Sequence, residues 1–498
     1  MSERLERREF IRRVGLGTAA IAASPLSSCS RVGHDRPNII FIVADDLGYA
    51  ELGSYGQRKI RTPHLDRIAA EGMRFTQHYS GSPVCAPSRC VLLTGKHTGH
   101  SYIRANDEMS DRGDVWHDPA LEGQRPLLAD TVTIGSLLQK ESYVTGAIGK
   151  WGLGGPGSTG EPNRQGFDHW YGYLCQRVAH NYYPTHLWRN GEKEILEGND
   201  YFYPHQRLPA DRDPLDPESY REYSGNDYSM DLMMEDSLRF IRENRDNPFF
   251  LFLPFPVPHA SLQVPEDTLE EYRGAFPETP YLGEKSYLPH PAPRAAYAAM
   301  ITRMDHGIGE IMSLVTELGL DENTLVVFTS DNGPTFNGGT DSEFFESAGP
   351  LRGLKVSLQE GGIRVPMIAR WPGMIEPGTV SDHASAFHDW MPTLLDVVGA
   401  DIPTDIDGIS LLPTLLGTPL RQRKHEYLYW EHNRQQAVRL DAWKAFRPST
   451  GDEIELYDLD RDIGEATNVA GEHPTVMARI GEIMRDGRTE SSLFPLTR

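Results

Sequence analysis

The chain has 498 residues, 39% of them hydrophobic, and a formal net charge of −22 at pH 7. Its length favours one large domain plus a smaller one, because single cores stop growing beyond about 250–300 residues. The negative charge argues against nucleic acid or an anionic membrane surface as a partner, and any anionic substrate must be held by local cations.

The first 28 residues are typical of an export signal and not of a folded domain. Arg7-Arg8-Glu9-Phe10-Ile11-Arg12 precedes the mild apolar run Val14 to Ala23, as in a twin-arginine signal. Leu26-Ser27-Ser28-Cys29 resembles a bacterial lipobox, in which Cys29 is acylated; an ordinary cleaved signal with an incidental cysteine is the alternative. A membrane-spanning anchor is disfavoured because the apolar run is well short of about 20 residues. We therefore expect export to the periplasm or cell envelope, with a lipid on Cys29 as the only membrane attachment.

The remaining cysteines are Cys85, Cys90 and Cys175, an odd number that does not indicate a disulfide framework. Cys90 is most simply a buried thiol, because it lies in an apolar helical segment.

Four apolar segments of strand length are each followed by residues that can bind a metal or an anion. The predicted strands, each with the polar residues after it, are Asn38–Ala44 with Asp45-Asp46, Tyr143–Ile148 with Gly149-Lys150, Phe249–Leu253 with Pro254 to His259, and Thr324–Ser330 with Asp331-Asn332. Helical segments lie between them, and strands that alternate with helices predict a mainly parallel α/β sheet. Ligands bind at the carboxyl ends of such strands, so these four segments can meet at one site.

The acidic residues after two of these strands predict a metal site. Asp45 and Asp46 repel each other directly after a buried strand unless a cation neutralises them; a solvated loop is the alternative on these two residues alone. Together with Asp331 and Asn332 they offer only oxygen ligands. Such a set suits Ca²⁺ or Mg²⁺ and disfavours zinc.

The stretch Ser82 to Gly95 places Cys85 at the start of a predicted helix. Pro87 suits the first turn, and Gly95 can end the helix. Helix N-termini favour negative charge, and Arg89, four residues later, comes round to the same side as Cys85. The pair suits a nucleophile that acts on an anion, whereas a lone buried cysteine is the simpler alternative.

Cys85-Ala86-Pro87-Ser88-Arg89, with Leu93-Thr94-Gly95 behind it, resembles the signature of the type I, arylsulfatase A-like sulfatases. The resemblance implies that a maturation enzyme oxidises Cys85 to formylglycine (3-oxoalanine), whose hydrate is the nucleophile. It also implies a Ca²⁺ ion, with Mg²⁺ less favoured, and these ligands: Asp45, Asp46, residue 85 in its oxidised form, Asp331 and Asn332.

Three further segments extend the resemblance, which runs from about Pro37 to the 460s. Gly149-Lys150-Trp151 is similar to the family segment whose lysine contacts sulfate. Pro258-His259-Ala260 is similar to the segment whose histidine protonates the leaving oxygen. Arg352-Gly353-Leu354-Lys355 resembles the block whose lysine holds sulfate and leaving group. The implied catalytic residues are Cys85, Arg89, Lys150, His259 and Lys355.

One position departs from the family pattern. The family commonly has histidine two places after the Lys150 equivalent, where it serves the formylglycine hydrate, and this chain has Gly152. Either another group supplies the base or this step is slow. We predict His180 as the first candidate for the base, with His97 and His100, near the cysteine helix, as the others.

The resemblance implies an alkaline-phosphatase-like α/β fold, with a large mainly parallel central sheet flanked by helices. We expect a catalytic domain over residues 36–420 and a C-terminal α+β subdomain over residues 421–498, made of an antiparallel sheet and one helix.

The function implied by the resemblance is hydrolysis of a sulfate ester. Export and the aromatic-rich segment Phe167 to Tyr203 favour a sulfated carbohydrate, although such a segment can also form its own small core. Two alternatives remain open: a phosphate or phosphonate ester hydrolase with the same metal site, and a non-catalytic lipoprotein that binds sulfated glycans.

Overall fold

The structure is a computed structural model that describes residues 36–107 and 122–496. Its strands are β1 Asn38–Ala44, β2 Met73–Tyr79, β3 Val144–Lys150, β4 His169–Tyr173, β5 His186–Arg189, β6 Glu192–Ile195, β7 Phe249–Pro254, β8 Thr324–Ser330, β9 Arg364–Arg370, β10 Thr379–Ser381, β11 Ser385–Ala386, β12 Leu428–His432, β13 Gln435–Leu440, β14 Trp443–Arg447 and β15 Glu455–Asp458. Its helices are α1 Pro63–Ala70, α2 Cys85–Thr94, α3 Ile134–Lys140, α4 Ser229–Glu243, α5 Glu266–Glu270, α6 Pro293–Glu317, α7 Glu360–Ile363, α8 Trp390–Val398, α9 Leu412–Leu415 and α10 Pro474–Asp486.

The large sheet has 11 strands in the order β10-β2-β9-β8-β1-β7-β3-β4-β5-β6, with β11 also paired to β2. Its centre is parallel, because β1 pairs in parallel with both β7 and β8, and β3 pairs in parallel with β7 and β4. Antiparallel pairs occur only outside this centre among the described strands. The expected α/β fold with a mainly parallel central sheet is therefore confirmed.

Alternate residues of β1 supply two cores, one on each face of the sheet. Ile40 and Ile42 pack on the face that carries α1, α4 and α6, whereas Ile39, Phe41 and Val43 pack on the face with α2, α3 and α8. Side chains of a strand point alternately to opposite faces, so a strand covered on both sides must be apolar throughout. This explains the uninterrupted apolar run from Ile39 to Ala44.

A separate antiparallel sheet, β12-β13-β14-β15, lies near the C-terminus. One face packs on α10 through residues such as Tyr429 and Ile480, and the other packs on the main body through Trp430 and Tyr79. The expected small antiparallel sheet with one helix is present. The boundary at residues 420 and 421 stays a prediction.

The predicted strands before the four polar segments are all present. Asn38–Ala44 and Thr324–Ser330 have the predicted bounds, and the other two run on to Lys150 and Pro254. The aromatic-rich segment forms β4, β5 and β6 at one edge of the large sheet. Most of its rings, among them Trp170, Tyr173 and Tyr182, are buried in the core, whereas Tyr201 is 55% exposed.

The predicted signal and Cys29 lie outside the described residues. Within the ranges that the structure describes, every helix is too short or too polar to cross a bilayer.

Candidate active site

The candidate site lies at the carboxyl ends of the parallel strands. Asp45 and Asp46 follow β1, Asp331 follows the neighbouring β8, and Lys150 is the last residue of β3. The parallel register that pairs Ala44 with Ser330 brings the acidic residues of the two strand ends together. All three carboxylates are fully buried, so their charges must be compensated within the site.

Cys85 is the first residue of α2, which ends at Gly95 in the left-handed conformation (φ 69°) that glycine adopts readily. The thiol is buried and donates a hydrogen bond to Asp45 Oδ1 at 3.2 Å. Lys150 Nζ and Lys355 Nζ lie 3.8 and 3.7 Å from the sulfur. Burial and Asp45 raise the pKa of the Cys85 thiol despite both lysines, so the unmodified side chain is a poor nucleophile at neutral pH.

Three cations pair with the carboxylates. Lys150 Nζ lies 2.5 Å from Asp45 Oδ2, and Lys355 Nζ lies 2.6 Å from Asp46 Oδ1. Arg89 bridges two of the acids, with Nη2 2.9 Å from Asp331 Oδ2 and 3.1 Å from Asp45 Oδ2. Burial opposes the charge of Asp45, yet Lys150, His259 and Arg89 hold the pKa of Asp45 far below its ordinary value.

Asn332 connects to the same acids. Its Nδ2 donates to Asp46 Oδ1 at 2.7 Å, whereas its buried Oδ1 has no hydrogen-bond partner among the described residues. Asp331 Oδ1 accepts a hydrogen bond from the Asp46 backbone N–H at 3.2 Å. A buried acceptor without a donor, beside three carboxylates, fits a hard cation with oxygen ligands. The predicted calcium ligands thus meet in one place and suit that ion.

His259 lies on the loop after β7 with its Nε2 3.6 Å from Asp46 Oδ2. Its Nδ1 donates to the Ala260 carbonyl at 2.5 Å, which directs Nε2 towards the acids. Burial and the nearby Lys355 and Lys150 lower the pKa of His259 to about 3. The ring is therefore neutral unless an anion offsets the two lysines.

His180 stacks on His259 with 4.9 Å between ring centroids and 10° between planes. Its Nδ1 lies 2.9 Å from His205 Nε2, and both rings contact Tyr287. The structure thus brings the predicted His180 to the wall of the site. His205 and Tyr287, which sequence reasoning missed, lie there too, on loops whose place no local pattern indicates.

The alternative bases are not brought to the site. His97 and His100 follow the last residue of α2, at the end opposite Cys85, and a helix of 10 residues is about 15 Å long. His100 Nδ1 contacts Asp407 Oδ1 at 2.9 Å, and His97 Nε2 lies 3.7 Å from the same carboxylate. These histidines therefore belong to a separate cluster beyond the helix.

The space beside Gly152 is filled by another side chain. Gly152 has φ +78°, and a Cβ at this position would lie 2.7 Å from Gln176 Cγ. Histidine does not fit at this position for two reasons. Residues other than glycine rarely adopt a positive φ, and Gln176 occupies the space that the histidine side chain would need. Sequence reasoning identified the missing histidine but not the residue that occupies its place.

Comparisons with known proteins agree with this geometry. A family model described as sulfatase matches residues 37–400, and one described as N-sulphoglucosamine sulphohydrolase, C-terminal, matches residues 355–488. Steryl-sulfatase of Rattus norvegicus is 31% identical over 484 residues, which cover 84% of this chain and 78% of the rat protein. N-acetylgalactosamine-6-O-sulfatase of Bacteroides thetaiotaomicron is 30% identical, with coverage of 91% and 93%.

A solved structure is similar over nearly the same span. The crystal structure of Ps i-CgsB in complex with k-i-k-neocarrahexaose superposes with a TM-score of 0.71 and 26% identity. The superposition covers 91% of this chain and 94% of that one.

Proposed function

The chain belongs to the sulfatase family and is a sulfuric ester hydrolase, and we propose that it removes sulfate from a sulfated carbohydrate with a formylglycine made from Cys85. One observation carries the proposal. Cys85 begins a helix at the carboxyl ends of parallel strands, with an acid at 3.2 Å and two lysines within 3.8 Å of its sulfur. An acid and two ammonium groups this close to a buried thiol do not suit an ordinary core cysteine, because core thiols pack among apolar groups.

When present, the hydrated aldehyde at position 85 supplies one hydroxyl that attacks sulfur and a second through which sulfate is released. The residues of this chain hold the reacting groups. Lys150 and Lys355 flank position 85 and stabilise negative charge on the sulfuryl oxygens, and Arg89 pairs with Asp45 and Asp331.

His259 is proposed to protonate the oxygen of the departing alcohol. Its Nε2 is directed into the site by the Nδ1 hydrogen bond to Ala260. The two lysines that lower its pKa are also the groups that would bind sulfate. A bound sulfate group offsets their repulsion of the imidazolium and so favours the protonated ring that a general acid requires.

The proposed resident ion is Ca²⁺, with Mg²⁺ less favoured because Mg²⁺ demands near-ideal octahedral geometry. Asp45, Asp46, Asp331 and Asn332 would hold it, together with the oxidised residue 85. When bound, the ion acts as a Lewis acid on the oxygens around it.

The proposed substrate class is a sulfated carbohydrate. The relative from Bacteroides thetaiotaomicron is named an N-acetylgalactosamine-6-O-sulfatase, and Ps i-CgsB was solved with a neocarrahexaose. The rat relative is named a steryl-sulfatase, so a steroid sulfate belongs in any substrate screen beside sugar sulfates.

We further propose export by the twin-arginine route and a lipid on Cys29 at the cell envelope. That route carries folded proteins, so a maturation enzyme could oxidise Cys85 and the ion could be loaded before export.

Mass spectrometry of the tryptic peptide Phe75 to Arg89, from protein purified from its own host, tests the proposal. An aldehyde at position 85 is the expected result, with hydrolysis of at least one sugar sulfate on a panel that also contains a steroid sulfate, an aryl sulfate and a phosphate ester. A thiol at full occupancy, with a competent maturation enzyme present, would overturn the mechanism. Faster turnover of the phosphate ester would move the assignment to a phosphoesterase.

A further inference from the structure

Gln176 lies beside the N-terminus of the nucleophile helix, although no sequence pattern marks it. Its side chain is 5% exposed, and its Nε2 donates to Asn106 Oδ1 at 3.3 Å. The same Asn106 oxygen accepts from the backbone N–H of Ala86 at 3.0 Å, and Ala86 directly follows Cys85. One asparagine therefore links Gln176 to the first turn of the helix.

This chain of hydrogen bonds determines which way both amides face. A backbone N–H can only donate, so the Asn106 atom that faces Ala86 must be the oxygen. The Gln176 atom that faces this oxygen must then be the nitrogen. The remaining atom, Gln176 Oε1, is an acceptor.

Gln176 Oε1 is buried and has no hydrogen-bond partner among the described residues. Leaving a buried acceptor without a donor costs about 1–3 kcal/mol, so such a group indicates a partner that the polypeptide does not itself provide. The lysines Lys150 and Lys355 are engaged with Asp45 and Asp46.

Gln176 also occupies the position of a side chain at residue 152. Its Oε1 lies 3.2 Å from where a Cβ of Gly152 would be, and Gly152 is two residues after Lys150, whose ammonium is 3.8 Å from Cys85 Sγ. The acceptor thus lies beside the strand end that also carries Lys150.

We propose that Gln176 Oε1 accepts a hydrogen bond from one hydroxyl of the hydrated aldehyde at position 85 and orients the hydrate for reaction. This inference rests on the proposed function. An amide oxygen cannot take up the proton, so Gln176 fixes the direction of the hydroxyl and another group serves as base. The hydrogen bond also favours the hydrate over the free aldehyde, because only the hydrate can donate.

The test uses Gln176→Met, which keeps the length of the side chain and removes the amide. Position 85 should react several-fold faster with a hydrazide, since more of it is then free aldehyde. The kcat for a sulfate ester should fall roughly 10- to 100-fold with a smaller change in KM, somewhat less than the loss of an oxyanion-hole donor.

Gln165→Met is the matched control. Gln165 is another buried glutamine whose Oε1 has no partner among the described residues, but its Nε2 donates to the carbonyls of Leu128 and Thr159. This variant should leave the hydrazide rate and kcat of the folded enzyme unchanged. Equal effects in both variants would show a merely structural role and overturn the inference.

Gln176→Glu provides a second test that does not depend on the methionine variant folding. The introduced carboxylate keeps an acceptor that can also ionise, so the kcat should acquire a new acidic limb in its pH profile. A pH profile identical to that of the wild type would overturn the inference.

The two proposals fail in different ways. If wild-type protein carries a thiol at position 85 or hydrolyses no sulfate ester, the proposed function fails. The hydrate hydroxyl that was assigned as the donor to Gln176 is then also lost. If the wild type is converted and active, and Gln176→Met matches it in hydrazide rate and kcat, only the assignment of Gln176 fails.

Discussion

Replacing Arg89 by methionine tests whether the buried carboxylates depend on a fixed cation. The Arg89 side chain is 1% exposed and donates to Asp331 Oδ2 through Nε and Nη2 at 3.1 and 2.9 Å, and to Asp45 Oδ2 at 3.1 Å. Both carboxylates are fully buried. Removing one partner of a buried ion pair costs about 3–5 kcal/mol, so Arg89→Met should lower the free energy of unfolding by that amount.

Urea unfolding in the presence of a chelator measures this change, because added Ca²⁺ would replace part of the lost positive charge. Arg89→Lys should recover only part of the loss, since an ammonium lacks the planar set of N–H donors through which Arg89 reaches both Asp331 and Asp45. Arg67→Met is the matched surface control: the Arg67 side chain is 75% exposed and pairs with Glu71 one helical turn away. It should cost less than about 0.5 kcal/mol. If Arg89→Met lowers the free energy of unfolding by less than about 1 kcal/mol, the reasoning is refuted, because breaking this buried ion pair then destabilises the protein no more than breaking a surface pair.

Four further predictions concern Cys85, the proposed ion, His180 and the buried Lys444–Glu360 pair. Cys85→Ser should accept sulfate from substrate and fail to release it, so intact mass spectrometry should show one added sulfuryl group; steady turnover would contradict this. Chelation should abolish hydrolysis, and Ca²⁺ at 100 times its Kd should raise the free energy of unfolding by about 2.7 kcal/mol in calorimetry. His180→Ala should slow sulfate release at saturating substrate, and unchanged turnover would remove His180 as the candidate base. Lys444→Met should lower the free energy of unfolding by about 3–5 kcal/mol, because the buried Lys444 Nζ lies 2.9 Å from Glu360 Oε1. Burial opposes the charge of Glu360, yet Lys444 and nearby arginines hold its pKa at about 2, below the ordinary 4.5. Because the pKa of Glu360 is lower in the folded protein, its ionised carboxylate stabilises the fold above pH 4.5, and this stabilisation is lost as the pH falls towards 2. Acid unfolding of Lys444→Met should therefore begin at a higher pH than in the wild type.

The local sequence determined the strands and helices that carry the site. The run from Asn38 to Ala44 is apolar at every position after its first residue, and this pattern predicts a strand buried on both faces, as β1 is. Gly95 ends α2, and polar residues follow each central strand at its carboxyl end. These features depend on neighbours within a few residues, so they can be read from the chain alone.

The sequence also determined the residue types of the site. Asp45, Asp46, Cys85, Lys150 and Lys355 are the residues that the resemblance indicated, and the structure brings them within hydrogen-bonding or ionic contact of one another. The topology of a parallel sheet accounts for this, because its strand ends converge at one edge.

Only the tertiary structure decided which groups complete the site. The edge strands β4 to β6 lie in the aromatic-rich segment, and they join the large sheet because β4 pairs with β3, β5 with β4 and β6 with β5. The sequence shows only that the family histidine is missing at Gly152. The structure adds that the Gln176 side chain fills the space beside this glycine. Likewise, Asn106 joins Gln176 to Ala86 across a long stretch of chain. Such contacts depend on how distant segments pack in three dimensions, and the local pattern of a sequence does not specify that packing.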